Sequence, residues 1–345
     1  MTSRFLIIAA LLALPIACAQ PDQGFVSDID VDTPVDDVDY DAGGVSGRIC
    51  FNDESTWLAG ADVYIDHDFG RAQTTTDSDG YFTLTGVPPG TWSVVVEKGS
   101  FTTTFDVDIV VDEILVLEES ECLDDGEVNI LVVTGLFDSI ELVLDRLNIE
   151  YTLVDGINAS IVNFMSDPAQ LEQYDIIFFN CGMDESWIYT NQDVVGSNIA
   201  DFVTNGGSIY ASDWAFYIVE ASHPNMVDFI GDDFDQDAPK VGVEGFYSAT
   251  VRDANIASAL GSGSAMLNYD LPVWVAMQGV SDSNYIMIEG TFDWSDIWGT
   301  YATHFGPLAA KMDSGNGRVL YTTFHNEAQT TSDMDVILQE IIFHL

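Results

Sequence analysis

Two patterns of apolar and polar residues divide the chain. Between residues 46 and 123, short apolar stretches follow a period of two and are separated by turn residues, as in ADVYID, YFTLTGV and TWSVVVE. This pattern predicts a small antiparallel β-sandwich without helices. From Val128 onward, continuous apolar runs alternate with segments whose apolar residues recur at helical spacing. That alternation predicts βαβ units and a parallel sheet covered on both faces.

The second pattern predicts an α/β domain over residues 127–345. Its strands are indicated by the runs VNILVVTG, DIIFFNCG, SIYASDW and RVLYTTF, and one helix is indicated by apolar residues at positions 140, 143, 144 and 147. We expect these elements to form a doubly wound, flavodoxin-like sheet. Residues 241–305 carry the further runs GFYSATV, LPVWVAM and NYIMIEG, which predict strands that extend the sheet or cover it.

Candidate chemistry lies where the predicted parallel strands end. In sheets of this kind, ligands bind at the carboxyl ends of the strands. The last predicted strand ends in a His-x-Glu pair, which offers the best acid and base candidates of the chain. Four strand ends are selected by this rule: Thr134-Gly135, Asn180-Cys181-Gly182, Ser212-Asp213-Trp214 and His325-x-Glu327.

The charge balance excludes whole classes of partner. The chain has 57 Asp and Glu against 9 Lys and Arg, a formal net charge of -48. Such a field repels nucleic acids and anionic membrane surfaces, because so few cations cannot form a basic patch. An acidic, solvated surface is the interpretation that we prefer to the collection of divalent cations.

The N-terminus has the features of an export signal. Arg4 precedes an apolar run over residues 5–14, and small residues surround Cys18. The segment 1–18 resembles a bacterial signal peptide with a lipobox, which implies that Cys18 is acylated and that a lipid anchor is the only contact with the membrane. The non-acidic Ala19 would then favour the outer membrane or cell surface. Ordinary cleavage after Ala19, giving a secreted or periplasmic soluble protein, is the alternative.

Two further features follow from an exported location. Residues 19–45 are rich in aspartate and poor in apolar residues, which predicts a disordered acidic linker. Cys50 and Cys122 lie near the two ends of the predicted sandwich. In an oxidising compartment we expect them to form a disulfide, with Cys181 left unpaired.

The segment 46–123 resembles the carboxypeptidase regulatory-like domain, a small transthyretin-like sandwich. The resemblance rests on the run TTTDSDGYFTLTGVPPGTWSVVVEKG and includes Asp77, Asp79, Gly80, Pro88 and Gly90. It implies a non-catalytic spacer or binding module.

Residues 127–345 resemble the class I glutamine amidotransferase-like superfamily. The resemblance rests on YDIIFFNCG, NGGSIYASDW and GRVLYTTFHNE. It implies a nucleophilic cysteine on a sharp strand-to-helix turn, activated by a His-x-Glu near the C-terminus. His325 and Glu327 match that pair, but the turn falls at Ser212 or Asp213, where no cysteine stands. Cys181 matches the preceding strand end, so the resemblance implies a domain without the residue that hydrolyses glutamine.

Two side chains could replace the missing nucleophile. Ser212 would complete a Ser-His-Glu set if its hydroxyl reached His325. Against this, ASDW lacks the glycines that permit a nucleophile elbow, and Asp213 would repel a developing oxyanion. Cys181 would need to be a thiolate beside His325, whereas a cysteine at a strand end is more often a small buried apolar residue.

A metal site is a third possibility, with Asp213, His325, Glu327 and His223 as ligands. No tight ligand spacing supports it, so we expect neither a metal nor a cofactor. The preferred interpretation of the whole set is a non-catalytic pocket that binds a small molecule, a carbohydrate or a protein. A hydrolase of sugars, peptides or amides is the alternative.

Overall fold

The structure is a computed structural model, and it describes residues 41–126, 128–231, 240–271, 273–296, 299–326 and 330–345. The predicted signal peptide with Cys18 lies outside the described residues, as do Glu327 and the predicted linker up to residue 40. Among the described residues, no helix is both long enough and apolar enough to cross a membrane.

Residues 43–123 fold into two facing sheets, and this part of the chain is described throughout and contains no helix. Inward side chains such as Ile49, Val63 and Val96 alternate with outward polar ones and are fully buried. The predicted β-sandwich is therefore confirmed. Its strands are β1 (Gly43–Phe51), β2 (Asp53–Trp57), β3 (Asp62–His67), β4 (Gly70–Thr75), β5 (Tyr81–Val87), β6 (Gly90–Lys98), β7 (Phe101–Ile109), β8 (Ile114–Val116) and β9 (Glu121–Leu123).

Strand β1 has parallel as well as antiparallel neighbours. One sheet contains β4-β3-β6-β7, and the other is built around β1, which pairs antiparallel with β2 and β5 but parallel with β8 and β9. Two short parallel pairs thus accompany the predicted antiparallel pairing, because the chain crosses from β7 back to the first sheet before it forms β8. Cys50 lies opposite Cys122 in the parallel pair, and the predicted disulfide joins them.

The second region alternates strands and helices, as its sequence predicts. The strands and helices between residues 130 and 222 are β10 (Ile130–Thr134), α1 (Glu141–Arg146), β11 (Thr152–Asp155), α2 (Ser160–Met165), α3 (Pro168–Leu171), β12 (Ile176–Phe179), α4 (Glu185–Thr190), α5 (Gln192–Thr204), β13 (Ser208–Ser212) and α6 (Phe216–Ser222). The remainder are β14 (Val227–Phe229), β15 (Val241–Gly242), β16 (Gly245–Val251), α7 (Ala254–Leu260), β17 (Ser264–Tyr269), β18 (Trp274–Val275), β19 (Met277–Val280), β20 (Ile286–Ser295), β21 (Tyr301–Ser314), β22 (Gly317–Thr322) and α8 (Ser332–Ile342).

The parallel strands have flavodoxin-like order. They run β11-β10-β12-β13-β22, which in order of appearance is 2-1-3-4-5, and every pair is parallel. Beyond β22 the sheet continues through the antiparallel strands β21 and β20. The predicted doubly wound sheet is confirmed, and the segment 241–305 extends it.

Alternate residues of the parallel strands enter two separate cores. Val132 and Phe178 face α1 and α8, whereas Val133 and Phe179 face α2, α5 and α6. The first core continues into the sandwich without a break. At that junction the rings of Phe51, Phe101 and Phe343 pack edge to face, with centroids 4.9–5.8 Å apart.

A buried ion pair crosses the same junction. The ammonium of Lys98, at the end of β6, lies 2.8 Å from Glu340 Oε2 in α8 and donates to the Ala59 carbonyl at 2.5 Å. Both charged side chains are at most 4% exposed. The next residue, Gly99, has a left-handed φ of 61°, and a Cβ there would collide with the Phe343 carbonyl. The two regions are therefore closely fitted rather than loosely tethered.

We expect Lys98→Met to lower the free energy of unfolding by about 3–5 kcal/mol, because it leaves the Glu340 carboxylate buried without its partner. The double variant Lys98→Met/Glu340→Leu should recover most of that loss. Urea denaturation at neutral pH measures both values.

The matched control is Arg146→Ala, which removes the ion pair between α1 and Asp335 of α8. That pair is about half exposed on both sides, so its loss should cost about 1 kcal/mol or less. Equal costs for Lys98→Met and Arg146→Ala would contradict the role given to the buried pair.

Candidate functional site

Three buried side chains meet at the carboxyl ends of adjacent parallel strands. Cys181 follows β12, Asp213 follows β13 and His325 follows β22. The carboxylate oxygen Oδ2 of Asp213 lies 3.5 Å from Cys181 Sγ and 3.6 Å from His325 Nε2. All three residues are at most 5% exposed. Three of the four predicted strand ends thus form one cluster, and the fourth, Thr134-Gly135, packs directly against the Cys181 carbonyl.

The strand-to-helix turn after β13 is centred on Asp213. A short 3₁₀ turn, Asp213–Ala215, links β13 to α6, and Asp213 has a φ of 45°. This left-handed conformation is unfavourable for most residues but is adopted more readily by Asp and Asn. The turn therefore forms at Asp213 without a glycine, whereas Ser212 keeps an extended backbone with φ -115° and ψ 136°.

Hydrogen bonds from distant segments hold Asp213 in this conformation. The Val275 N–H donates to Asp213 Oδ1 at 2.6 Å, and the Tyr321 hydroxyl donates to the Asp213 carbonyl at 2.8 Å. The carboxylate therefore points into the protein, where Cys181 and His325 lie, and not into solvent.

Ser212 is part of a hydrogen-bond network. Its hydroxyl donates to Asp138 Oδ2 at 2.5 Å and accepts the Cys181 N–H at 3.0 Å. The other oxygen of Asp138 accepts the Asn326 N–H at 3.0 Å. Burial raises the pKa of Asp138, while His325 and the Ser212 hydroxyl act to lower it. The Ser212 proton is committed to Asp138, so this hydroxyl is poorly suited to a role as nucleophile.

Cys181 is held as a thiol. Its Sγ donates to Asp213, and the Trp214 N–H donates to Sγ. Burial raises the pKa of the thiol well above its ordinary value, and the neighbouring Asp213 carboxylate raises it further. A nucleophilic cysteine requires the opposite shift.

The space beside the cluster is nearly filled. Asp213, His325, Tyr269 and Trp274 line a cavity of about 10 Å³, which is room for about one water molecule. The Trp274 ring stacks on Tyr269 with centroids 4.2 Å apart, and the Tyr269 hydroxyl lies 2.6 Å from Thr323 Oγ1. An acyl substrate has no place beside Asp213 in this arrangement.

The predicted metal ligands are not brought together as a set. His223 is buried elsewhere, with Nδ1 2.8 Å from Ser222 Oγ and Nε2 3.2 Å from Ser314 Oγ. Glu327 lies outside the described residues. Asp213 and His325 do meet, and the ligand atom that joins them belongs to Cys181.

The sequence pattern did not predict two residues that make hydrogen bonds in the site, Asp138 and Val275. Asp138 stands four residues beyond the end of β10, so the strand-end rule pointed to Thr134 and Gly135 instead. Val275 belongs to the segment 241–305 that extends the sheet. It contributes a backbone N–H, which every residue except proline has, so its residue type does not indicate the role. Asp138 could have been found as a single aspartate in the loop that follows the first predicted parallel strand.

One family model matches the chain. It describes the carboxypeptidase regulatory-like domain and matches residues 44–118, which confirms that resemblance for the sandwich. No curated protein matches the chain.

Several solved structures are similar to the chain at low identity. A cytoplasmic protein from Salmonella typhimurium has 12% identity and a TM-score of 0.38, covering 63% of this chain and 98% of that one. PurLQS from Thermotoga maritima has 11% identity and a TM-score of 0.38, with coverages of 63% and 98%. A glutamine amidotransferase from Thermotoga maritima has 8% identity and a TM-score of 0.34, with coverages of 58% and 76%. The parallel strand order β11-β10-β12-β13-β22 is what defines the fold of this region.

The buried His223 predicts a specific pH dependence of stability. Burial lowers the pKa of its imidazole to about 4, from a usual value near 6.5. As the pH falls from about 6.5 to about 4, the unfolded chain binds the proton first, so the folded state loses about 1–3 kcal/mol through this group. His223→Gln should show a smaller loss over that interval. Urea denaturation at both ends of the interval measures it, and equal losses in the two proteins would contradict the assignment.

Proposed function

We propose that the chain is an exported, lipid-anchored cell-envelope protein whose amidotransferase-like region acts as a non-catalytic interaction module. The observation that carries the proposal is the identity and conformation of the elbow residue. Asp213 occupies the left-handed turn after β13, and its carboxylate packs against Cys181 and His325. A carboxylate at that position repels the oxyanion that acyl transfer generates.

The neighbouring groups support the same proposal. Cys181 is protonated, the Ser212 hydroxyl donates to Asp138, and the cavity holds about one water. Covalent hydrolysis needs an activated nucleophile and a space for the substrate beside it. A hydrolase acting through His325 with Ser212 or Cys181 is therefore the less supported alternative.

Exposed apolar side chains at the edge of the sheet that carries the site support a role in binding. Leu136 and Phe137 follow β10 and lie against Gly182, and Ile157 follows β11. All three are exposed at the carboxyl edge of the sheet. Apolar side chains grouped on a surface are typical of interaction sites.

The location is proposed from the N-terminal sequence. Acylation of Cys18 would anchor the mature chain in the outer membrane or at the cell surface, and the acidic residues 19–45 would act as a tether. A disulfide between Cys50 and Cys122 suits an oxidising compartment.

We expect the purified protein to hydrolyse neither glutamine nor model amides, esters and glycosides above the rate of the uncatalysed reaction. Product formation is measured for the wild type, for His325→Ala and for Ser46→Ala, a control substitution in the sandwich. A hydrolysis rate that exceeds background and is lost in His325→Ala but retained in Ser46→Ala would overturn the non-catalytic proposal.

We expect mass spectrometry of the mature protein to find an acylated N-terminal Cys18, and Cys18→Ser to release the protein from the membrane fraction. A mature chain that starts at Gln20 without a lipid would refute the anchor while leaving the proposal for the α/β region in place.

A further inference from the structure

We propose that Cys181, Asp213 and His325 form a binding site for Zn²⁺ or a transition metal of similar ligand preference. The inference concerns the same cluster but goes beyond the proposed function, because an interaction module needs no metal. It rests on the types of the three side chains, on the distances between their ligand atoms and on the small cavity beside them.

The donor set matches zinc in chemistry. Thiolate, imidazole and carboxylate are the side chains that bind Zn²⁺ in proteins, whereas Mg²⁺ and Ca²⁺ take oxygen ligands in larger numbers. On binding, the S–H bond of Cys181 breaks, its proton leaves to solvent and a sulfur–metal bond forms. The resulting thiolate and the Asp213 carboxylate together carry two negative charges, which balance the metal ion.

The spacing matches a tetrahedral site. Bonds of about 2.3 Å to sulfur and about 2.0–2.1 Å to nitrogen and oxygen place neighbouring tetrahedral ligands about 3.3–3.6 Å apart. The distance from Cys181 Sγ to Asp213 Oδ2 is 3.5 Å, and that from Asp213 Oδ2 to His325 Nε2 is 3.6 Å. All three ligand atoms lie within 4.8 Å of one another. Only small side-chain movements are needed for three ligands to surround one ion.

The cavity beside the cluster provides for the fourth ligand. Asp213 and His325 both line it, and its volume of about 10 Å³ is enough for about one water molecule. The ion would therefore be held by three protein ligands and one enclosed water. Because no substrate fits beside that water, the metal would stabilise the fold and would not perform catalysis.

Rigid elements position the three ligands in advance. They follow β12, β13 and β22, which are neighbours in the parallel sheet. The second oxygen of Asp213 accepts the Val275 N–H at 2.6 Å, and the Trp214 N–H points at Cys181 Sγ. Hydrogen bonds of this kind fix the orientation of ligands in metal sites. The left-handed backbone conformation at Asp213 directs its carboxylate at the other two ligands.

The test uses the full mature chain with Cys18→Ser as background, so that Cys181 is the free thiol and Cys50 and Cys122 remain in their disulfide. The protein is titrated with Co²⁺ and with Zn²⁺ in excess Ca²⁺, which occupies surface carboxylates. We expect one Co²⁺ per chain with a thiolate-to-cobalt absorption band, its displacement by Zn²⁺, and a Tm higher by about 3–6 °C with Zn²⁺ than with EDTA.

Three variants locate the site. Cys181→Ser should abolish the thiolate band, and Asp213→Asn and His325→Gln should each weaken Zn²⁺ binding by about 100-fold or more. The matched control is His223→Gln, a buried histidine outside the cluster, which should bind both metals as the parent does. Circular dichroism shows whether each variant is folded.

Metal titration of the Cys18→Ser protein tests for the metal site even where one of the further variants fails to fold. A parent that shows no thiolate band and no rise in Tm with Zn²⁺ would overturn the proposal, and so would binding by surface carboxylates only. The hydrolysis assay is a separate measurement that does not depend on the metal titration. Failure of the metal site and failure of the non-catalytic proposal can therefore be distinguished.

Discussion

The carboxylate of Asp213 connects the elements that make up the carboxyl edge of the parallel sheet. It lies between Cys181 from β12 and His325 from β22, and it accepts the Val275 N–H from the sheet extension. One side chain thus joins three neighbouring parallel strand ends and the segment that follows them. In this arrangement Asp213 has a positive φ, which is an unfavourable backbone conformation for most residues.

The turn after β13 holds Asp213 in a left-handed conformation beside a buried thiol and an imidazole. Burial raises the pKa of the Cys181 thiol, and the neighbouring Asp213 carboxylate raises it further. The same features that disfavour hydrolysis, namely a buried thiol beside a carboxylate and an imidazole, favour a metal ion.

The sandwich and the α/β region are joined by packing as well as by the chain. The core of one sheet face continues through Phe51, Phe101 and Phe343 into the sandwich, and the Lys98–Glu340 pair is buried beside it. Because a buried charge is costly without its partner, this pair fixes how the two regions meet. A net charge of -48 at the same time favours a well-solvated surface.

The sequence by itself determined the two architectures, the flavodoxin-like winding and the Cys50–Cys122 disulfide. Periods of two and 3.6 residues and the positions of turn residues are local properties, so they can be read along the chain. The tertiary structure alone decided that Ser212 donates to Asp138, 74 positions away, and that Val275 binds Asp213 across 62 positions. It also decided that the elbow residue is Asp213, since this conformation depends on its hydrogen bonds to Val275 and Tyr321. Such meetings depend on the paths of the loops and on the backbone conformation of single residues, which no local period encodes.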